Sequence, residues 1–406
     1  MNENQYPVAL PGAGHETLMW AHEHEIEPQA VQQIRRVADL PWVHGLRIMP
    51  DVHLGVGATI GTVIASKSVI VPSAVGVDIG CGVNAVRTNL YLEDVYDDLH
   101  DLRLLIEAAV PVGFNGHEKN ISSGIPGDKA FWSRYKDLHA PVKDLEDRAL
   151  KQLGTLGGGN HFIELCTDSE DRIWITLHSG SRNIGKSIAE MHINVAKTLP
   201  ENADLPDKEL AVLFLGTPQA DRYRHDLEWA QEFAMRSRSM MMSLVKKVIY
   251  EFYWNGPGNP ESVVHFDDEI NCHHNYVDTE TIDGVEMIVT RKGAISAHKG
   301  EMALIPGSMA TGSYIVRGLG NPDSYYSASH GAGRKLSRGA AKRAFQGTDE
   351  GAAEIAKQMG SIESRRDSGI LDELPGAYKD IHAVIAAQDN IVDVVEHLQT
   401  ILCVKG

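Results

Sequence analysis

Two hydrophobic periods divide this chain. Short apolar runs cut by glycine read as strands, and longer stretches with apolar residues at helical spacing read as helices. The lead-in, residues 1–45, carries one helical stretch at Pro28–Leu40. From Leu46 to Leu90 glycine and valine dominate, as in Met49-Pro-Asp-Val-His-Leu-Gly and Ala58-Thr-Ile-Gly-Thr-Val-Ile. These predict a compact sheet region, with Val69-Ile70-Val71 and Ala85-Val86 as buried strand. Leu92–Val110 predicts a helix ending near Pro111, and Pro141–Lys151 a short one. Arg172–His178 is β-branched and aromatic, so it predicts a strand. Further helices are predicted at Ile188–Leu199, Lys208–Phe214 and Asp221–Tyr250, the last rich in methionine. A C-terminal helix follows from Ile381, Val384, Ile385, Val392, Val395, Leu398 and Leu402.

Between these elements lie polar, glycine-rich sections. Gly113–Asp137 reads as a surface loop near a substrate. Ile270–Arg334 holds Cys272-His-His-Asn, Arg291-Lys-Gly-Ala, Ile305-Pro-Gly-Ser-Met and Ser329-His-Gly-Ala-Gly-Arg. No internal repeat and no linker-like tract divides the chain. Segments with chemical character are scattered along its length, which points to one interwoven domain over residues 1–406.

Composition narrows the class. Hydrophobic content of 43% and charged content of 23% are those of a soluble globular protein. No stretch is apolar for long enough to span a bilayer, and the N-terminus lacks the shape of a signal peptide. Cys81, Cys166, Cys272 and Cys403 are widely separated, which argues against zinc ribbons and a disulfide framework. A cytoplasmic protein with reduced thiols is expected. The net charge of −17 excludes nucleic-acid binding by bulk electrostatics, so any polyanion must meet local positive charge. Aromatics at 6% disfavour a broad base-stacking surface. The 19 histidines are many for this length.

The candidate chemistry starts at Val75–Val83, Val-Gly-Val-Asp-Ile-Gly-Cys-Gly-Val. Asp78 and Cys81 should project from a tightly turned, buried segment. An oxygen donor beside a sulfur donor suits a borderline ion such as Zn²⁺, Mn²⁺, Fe²⁺ or Co²⁺. Three histidines stand in similar settings. His161 follows three glycines, with Asn160 before it and Glu164 after; His178 ends a strand; His274 sits in Cys-His-His. In a strand only one of His273 and His274 can face a shared centre. Each histidine alone is as readily a hydrogen-bonded core residue. Five mixed donors together exceed one tetrahedral site and would serve two ions if the thiolate or carboxylate bridged. Arg182, Arg291, Lys292, Arg317 and Arg334 supply local positive charge near these donors in the sequence. His330, flanked by glycines and followed by Arg334, could act as nucleophile or base, or could simply mark a turn into a helix near Arg334.

Gly180–Ser187 also fits the phosphate-cradling pattern G-x-x-x-x-G-K-S, with Lys186 and Ser187 at its end. That alternative, a P-loop NTPase, needs a Mg²⁺-binding Asp at the end of an apolar strand. Val263-Val-His-Phe-Asp267 is the best candidate, and its histidine interrupts the run.

Taken as an ordered set, these motifs resemble the RtcB family of RNA ligases from about Leu40 to Gly406. They include Gly76-Val-Asp-Ile-Gly-Cys-Gly, Gly154-Thr-Leu-Gly-Gly-Gly-Asn-His-Phe-Ile-Glu, Leu177-His-Ser-Gly-Ser-Arg, Cys272-His-His-Asn-Tyr, Ser329-His-Gly-Ala-Gly-Arg and the terminal Val404-Lys-Gly. The resemblance implies an α+β, single-domain RtcB-type fold with sheets and surrounding helices forming a metal-centred cleft. It implies a Mn²⁺- and GTP-dependent ligase joining RNA 3′-phosphate or 2′,3′-cyclic phosphate ends to 5′-hydroxyl ends. By matching motif, Asp78, Cys81, His161, His178 and His274 would hold two Mn²⁺ with Cys81 as bridge. His330 would take GMP from GTP. Asn160, Glu164, Ser308, Ser313, Tyr378 and Lys405 would contact the guanine nucleotide, and Arg182 and Arg334 would hold phosphates. The family is associated with an activating partner, archease. A monomer is the default expectation, and a non-catalytic RNA-binding relative is the remaining alternative.

Overall fold

The computed structural model describes residues 6–121, 127–253, 263–267, 269–345 and 350–406. It is an α+β protein built on two large sheets. The first has six strands, in the order Val8–Ala9, Glu16–Met19, Gly45–His53, Ile60–Ser66, Val285–Lys292, Asn275–Ile282. The second runs Ile270–His273, Gly82–Tyr91, Arg172–Ser179, Phe162–Thr167, Val392–Lys405, Ser313–Gly318, Met302–Pro306, with Glu363–Ser364 beside Val392–Lys405 as its eighth strand. This sheet curls until its end strands, Met302–Pro306 and Ile270–His273, come together. Val83, Ala85, Cys166, Leu304, Ile315 and Leu398 fill its interior.

Strand alternation decides what sits at one end of this near-barrel. Side chains two apart face the same way, so Thr176 and His178 point with Glu164 and Cys166 to one side. His178 stands opposite both Val83 and Phe162 in the ladders. The short strand Ile270–His273 pairs with the start of Gly82–Tyr91, which brings His274 next to Cys81.

The 36-residue helix Pro218–Tyr253 lies along the curled sheet and buries Trp229, Phe233, Met241, Met242 and Val245. Helix Arg182–Thr198 packs beside it and starts earlier than the apolar spacing predicted. Helix Pro28–Ala38 matches its prediction. The predicted Leu92–Val110 helix is broken into Leu92–Val95, a 3-10 turn at Tyr96–Asp98, and Leu99–Ala109. Pro141–Lys151 is a 3-10 turn, Lys143–Leu145, followed by helix Glu146–Gln152.

Three expectations fail for identifiable reasons. The C-terminal helix exists only at Ile381–Ala386, and Val392–Lys405 is a strand. Register shifts at Ile315/Val316 and Thr400/Leu402 alter the strand's inward-outward phase, and Val395, which completed the helical spacing, is exposed. Lys208–Phe214 is a 3-10 turn capped by Asp207 and then strand Leu213–Phe214, which pairs with Val69–Ile70. Gly113–Asp137 is not all loop: helix Asp128–Ser133 and turn Arg134–Asp137 anchor it. Phe131, stacked 4.8 Å from Trp229, and Tyr135 are the buried anchors. Residues 122–126 of that segment, including Gly124 and Pro126, lie outside the described residues. The lead-in also holds more than its helix, contributing two strands to the first sheet.

A candidate metal centre beside a cationic cavity

The turn before Gly82–Tyr91 is locked at both ends. Gly80 N–H donates to the Asn275 carbonyl at 2.7 Å, and Cys81 N–H to the Asp78 carbonyl at 3.1 Å. Gly80 has φ +67°, and a Cβ there would meet Ala234 Cβ at 2.9 Å on the long helix. Only glycine fits both demands. Arg238 of the same helix donates to the carbonyls of Gly80 and Ser179, tying the turn to the end of strand Arg172–Ser179.

Around this turn the donors converge. Cys81 Sγ lies 3.5 Å from His161 Nε2 and 3.3 Å from His178 Nε2. His161 Nε2 lies 3.1 Å from Asp78 Oδ2, and His178 Nε2 3.3 Å from His274 Nε2. On a tetrahedral ion with bonds of about 2.0–2.3 Å, ligand atoms sit roughly 3.3–3.6 Å apart. The four separations have that scale. Cys81, His161 and His178 each offer a ligand atom within 4.8 Å of the others, and Asp78 adjoins this group at His161 and His274 adjoins it at His178. His161 Nδ1 lies 2.9 Å from the Leu156 carbonyl, an acceptor, so Nδ1 carries the proton and the Nε2 lone pair faces the cluster. His274 Nδ1 is buried without a hydrogen-bond partner. A sulfur, three imidazole nitrogens and a carboxylate oxygen converging at these separations fit divalent transition cations.

The imidazole and carboxylate charge states agree with ligation, whereas the Cys81 thiol would have to lose its proton when an ion binds. Burial, and then the neighbouring imidazoles, push His178 and His274 well below the usual histidine range, keeping them neutral. Burial opposes ionisation of Asp78, yet its neighbours His161, Cys81 and Arg182 hold it below its ordinary value. Burial and the Asp78 charge push the Cys81 thiol up. His273 takes the opposite face, its Nδ1 2.8 Å from the Gly80 carbonyl, so one histidine of the pair serves the cluster.

A cavity of about 780 Å³ opens beside the cluster, lined by Asp78, Cys81, His178 and His274. Asn160, Glu164, Ser308, Ser313, His330, Arg334, Tyr378 and Lys405 line it as well. His330 is edge-on to His274, ring centroids 4.8 Å apart. Its Nδ1 lies 2.6 Å from Asp51 Oδ2, which also accepts the His330 backbone N–H at 3.1 Å. Nε2 is therefore the nitrogen left for chemistry. Burial raises the Glu164 carboxyl to about 7, against the pull of the Lys405 charge.

The positive charge is distributed differently from the sequence expectation. Arg334 donates to Glu373, to the Tyr378 hydroxyl and to the Asp372 and Leu336 carbonyls. Glu373 also meets Lys405 at 3.3 Å and Arg338 at 3.7 Å. Arg182 does not line the cavity; it is spent on the Gly113 carbonyl and Thr155. Its guanidinium lies where a Cβ on Gly157 (φ +93°) would be. Arg291 is turned away into a buried pair with Glu280, and Arg317 is exposed on its strand. Lys292 lines the cavity, and burial lowers its amine to about 8.

Asp51 and Glu373 were given no role from the sequence. Asp51 lay in view within Met49-Pro-Asp-Val-His, but nothing local tied it to residue 330. Glu373, in Leu371-Asp-Glu-Leu-Pro, carries no motif at all.

The P-loop alternative fails on geometry. Ser181 N–H, which would cradle a phosphate, donates to Asp78 Oδ1 at 3.1 Å. Lys186 is 57% exposed and lies 3.6 Å from Glu190, one turn along its own helix. Asp267 pairs with Arg87, toward the other end of strand Gly82–Tyr91 from the cluster.

Fold and site together define an α+β protein with a buried thiol–imidazole–carboxylate centre opening on a cavity with cationic walls. Comparison with known proteins makes that class specific. A family model described as tRNA-splicing ligase RtcB matches residues 33–406, and the chain belongs to this family. It is 43% identical to the RNA-splicing ligase RtcB of Escherichia coli (strain K12), across 96% of this chain and 97% of that protein. It is 30% identical to the RNA-splicing ligase RtcB of Mycobacterium tuberculosis, across 92% of this chain and 100% of that protein. The tRNA-splicing ligase RtcB of Aeropyrum pernix is 30% identical, across 88% of this chain and 87% of that protein. Among the described residues no helix is long and apolar enough to cross a membrane.

Proposed function

We propose that this protein is a GTP- and Mn²⁺-dependent RNA ligase. It joins RNA 3′-phosphate or 2′,3′-cyclic phosphate ends to 5′-hydroxyl ends through a histidine–GMP intermediate on His330. Family membership and the names of its relatives support RNA ligation. The observation that carries the nucleotidyl step is His330 itself. Its Nδ1 is held at 2.6 Å by Asp51, and its ring abuts His274 within a cavity of nucleotide size.

His330 Nε2 attacks the α-phosphorus of GTP, an N–P bond forms, and the P–O bond to pyrophosphate breaks with its electron pair. Asp51 offsets the positive charge that builds on the imidazole and fixes which nitrogen attacks. An oxygen of the RNA 3′-phosphate then attacks the GMP phosphorus and releases His330. This leaves RNA capped as 3′-pp-5′-G. The 5′-hydroxyl of the second strand attacks the RNA phosphorus, loses its proton and expels GMP. A cyclic phosphate must first be hydrolysed to the 3′-phosphate. Asp78, Cys81, His161, His178 and His274 would hold two Mn²⁺. When bound, these ions supply Lewis-acid withdrawal of charge from phosphate oxygens.

On the far wall, Lys405 and Arg334 offer positive charge to the nucleotide. Asn160, Ser308, Ser313, Tyr378 and Glu164 offer hydrogen-bonding groups. Archease remains a candidate partner through the family alone.

The test is incubation with α-labelled GTP and Mn²⁺. Acid-labile label should appear on the protein and be absent from His330→Ala. Label that persists in that variant would exclude His330 as the nucleophile.

A further inference from the structure

A second cluster of histidines surrounds one carboxylate, away from the cavity. Asp226 is fully buried on the long helix Pro218–Tyr253. Its Oδ1 accepts the His139 backbone N–H at 3.0 Å and lies 3.1 Å from His225 Nδ1. Its Oδ2 accepts the Ala140 N–H at 2.9 Å and lies 2.9 Å from His192 Nε2, from helix Arg182–Thr198. The rings of His139 and His225 meet edge to face, centroids 5.2 Å apart. One ligand-type atom from each of His139, His225 and Asp226 lies within 4.8 Å of the others.

We propose that His139, His225 and Asp226 form a second metal site, selective for a late divalent transition ion such as Zn²⁺ or Co²⁺. The 3.1 Å between His225 Nδ1 and Asp226 Oδ1 is close to the edge of a tetrahedron with bonds of about 2.0–2.1 Å. Two imidazoles and one carboxylate, without sulfur, suit Zn²⁺ and Co²⁺ and disfavour Mg²⁺ and Ca²⁺. Support for the ligands is already built: Ala140 N–H and His192 fix Asp226 from behind, as outer partners orient ligands in metal sites. His139 is exposed and His225 half-buried, so the site is reachable from solvent. Binding needs no net proton release from neutral imidazoles; the Nδ1 proton of His225 moves to Nε2, freeing a lone pair. The ion would pin the segment carrying His139 to the long helix, the helix that also supplies Arg238 to the turn around Cys81. It would therefore act as a fastener and not as a reaction centre.

The test compares metal equivalents bound to the parent and to the His139→Ala/His225→Ala variant, after equilibration with Co²⁺ or Zn²⁺ and removal of free ion. One equivalent fewer is expected in the variant, whatever number the Cys81 centre holds, so this result is independent of the two-ion reading above. The variant's Co²⁺ difference spectrum against the parent should show loss of ligand-field bands without loss of thiolate charge-transfer absorption. Zn²⁺ should also raise the melting temperature of a Cys81→Ala protein, and His225→Gln in that background should shrink the rise. Equal metal content and identical Co²⁺ spectra in parent and double variant would overturn the proposal. So would a Zn²⁺-induced rise of equal size with and without His225→Gln.

Discussion

The two walls of the cavity treat charge in opposite ways. On one, around Cys81, donor atoms face one another at 3.1–3.5 Å and His274 Nδ1 has no partner. On the other, Glu373 gathers Arg334, Arg338, Lys405 and the Tyr378 hydroxyl, so that each cation already has an anionic partner, although one carboxylate serves all three. Unspent donors mark a place built for something added, whereas saturated ones mark scaffold that also presents cationic edges. Changes in the first wall should cost function with little stability, and changes in the second should cost stability first.

Cys81→Ala tests this most severely. It should lower divalent-ion affinity by more than the roughly 10–100-fold typical of losing an outer-sphere partner, and abolish ligation. Without metal its unfolding free energy in urea should match the parent's to within about 1 kcal/mol, since Cys→Ala removes one small buried sulfur. A large loss of metal-free stability would break the comparison.

Asp51→Asn comes next. It removes the charge that orients His330 and should slow protein guanylylation about 10²–10⁴-fold, measured with labelled GTP, while nucleotide binding persists. Glu373→Ala probes the saturated wall. Leaving Arg334 and Lys405 buried without a counterion should cost about 3–5 kcal/mol in chemical denaturation. Equal stability would mean the network is not scaffold.

Glu164 sharpens the picture through pH. Burial raises its carboxyl to about 7, so between the ordinary carboxylate range and about 7 the folded state binds more protons than the unfolded one. The stability of the protonated form is fully present at about pH 4 and lost as pH rises through about 7, by up to roughly 3 kcal/mol. Glu164→Gln should erase that slope, seen as a denaturation midpoint falling less between pH 5 and 8 than the parent's. Lys186→Ala should do least, within about 0.5 kcal/mol and without effect on guanylylation, since its pair with Glu190 is exposed. Loss of nucleotide chemistry there would revive the phosphate-loop alternative.

Legibility from sequence followed the range of the signal. Helices Pro28–Ala38 and Pro218–Tyr253 and strand Arg172–Ser179 were readable because their patterns are local and regular. Val392–Lys405 was not, because bulges are set by neighbouring strands and shifted the phase of its apolar residues. Helix Asp128–Ser133 escaped notice because its aromatic anchors bury against Trp229, about a hundred positions away.

By itself the sequence determined the chemical kinds present: the glycine-turned Asp78–Cys81 segment, the histidines, and a motif order specific enough for the family. Those depend on residue type and short spacing, which one strand of text preserves. Pairing was decided only in three dimensions. Asp51 reaches His330 across 279 positions, Arg182 turns to a backbone carbonyl instead of the cavity, and Glu373 becomes a hub through residues that share no motif with it. Electrostatic and hydrogen-bond energies fall off within a few ångströms, and which groups come that close is set by sheet register and helix packing.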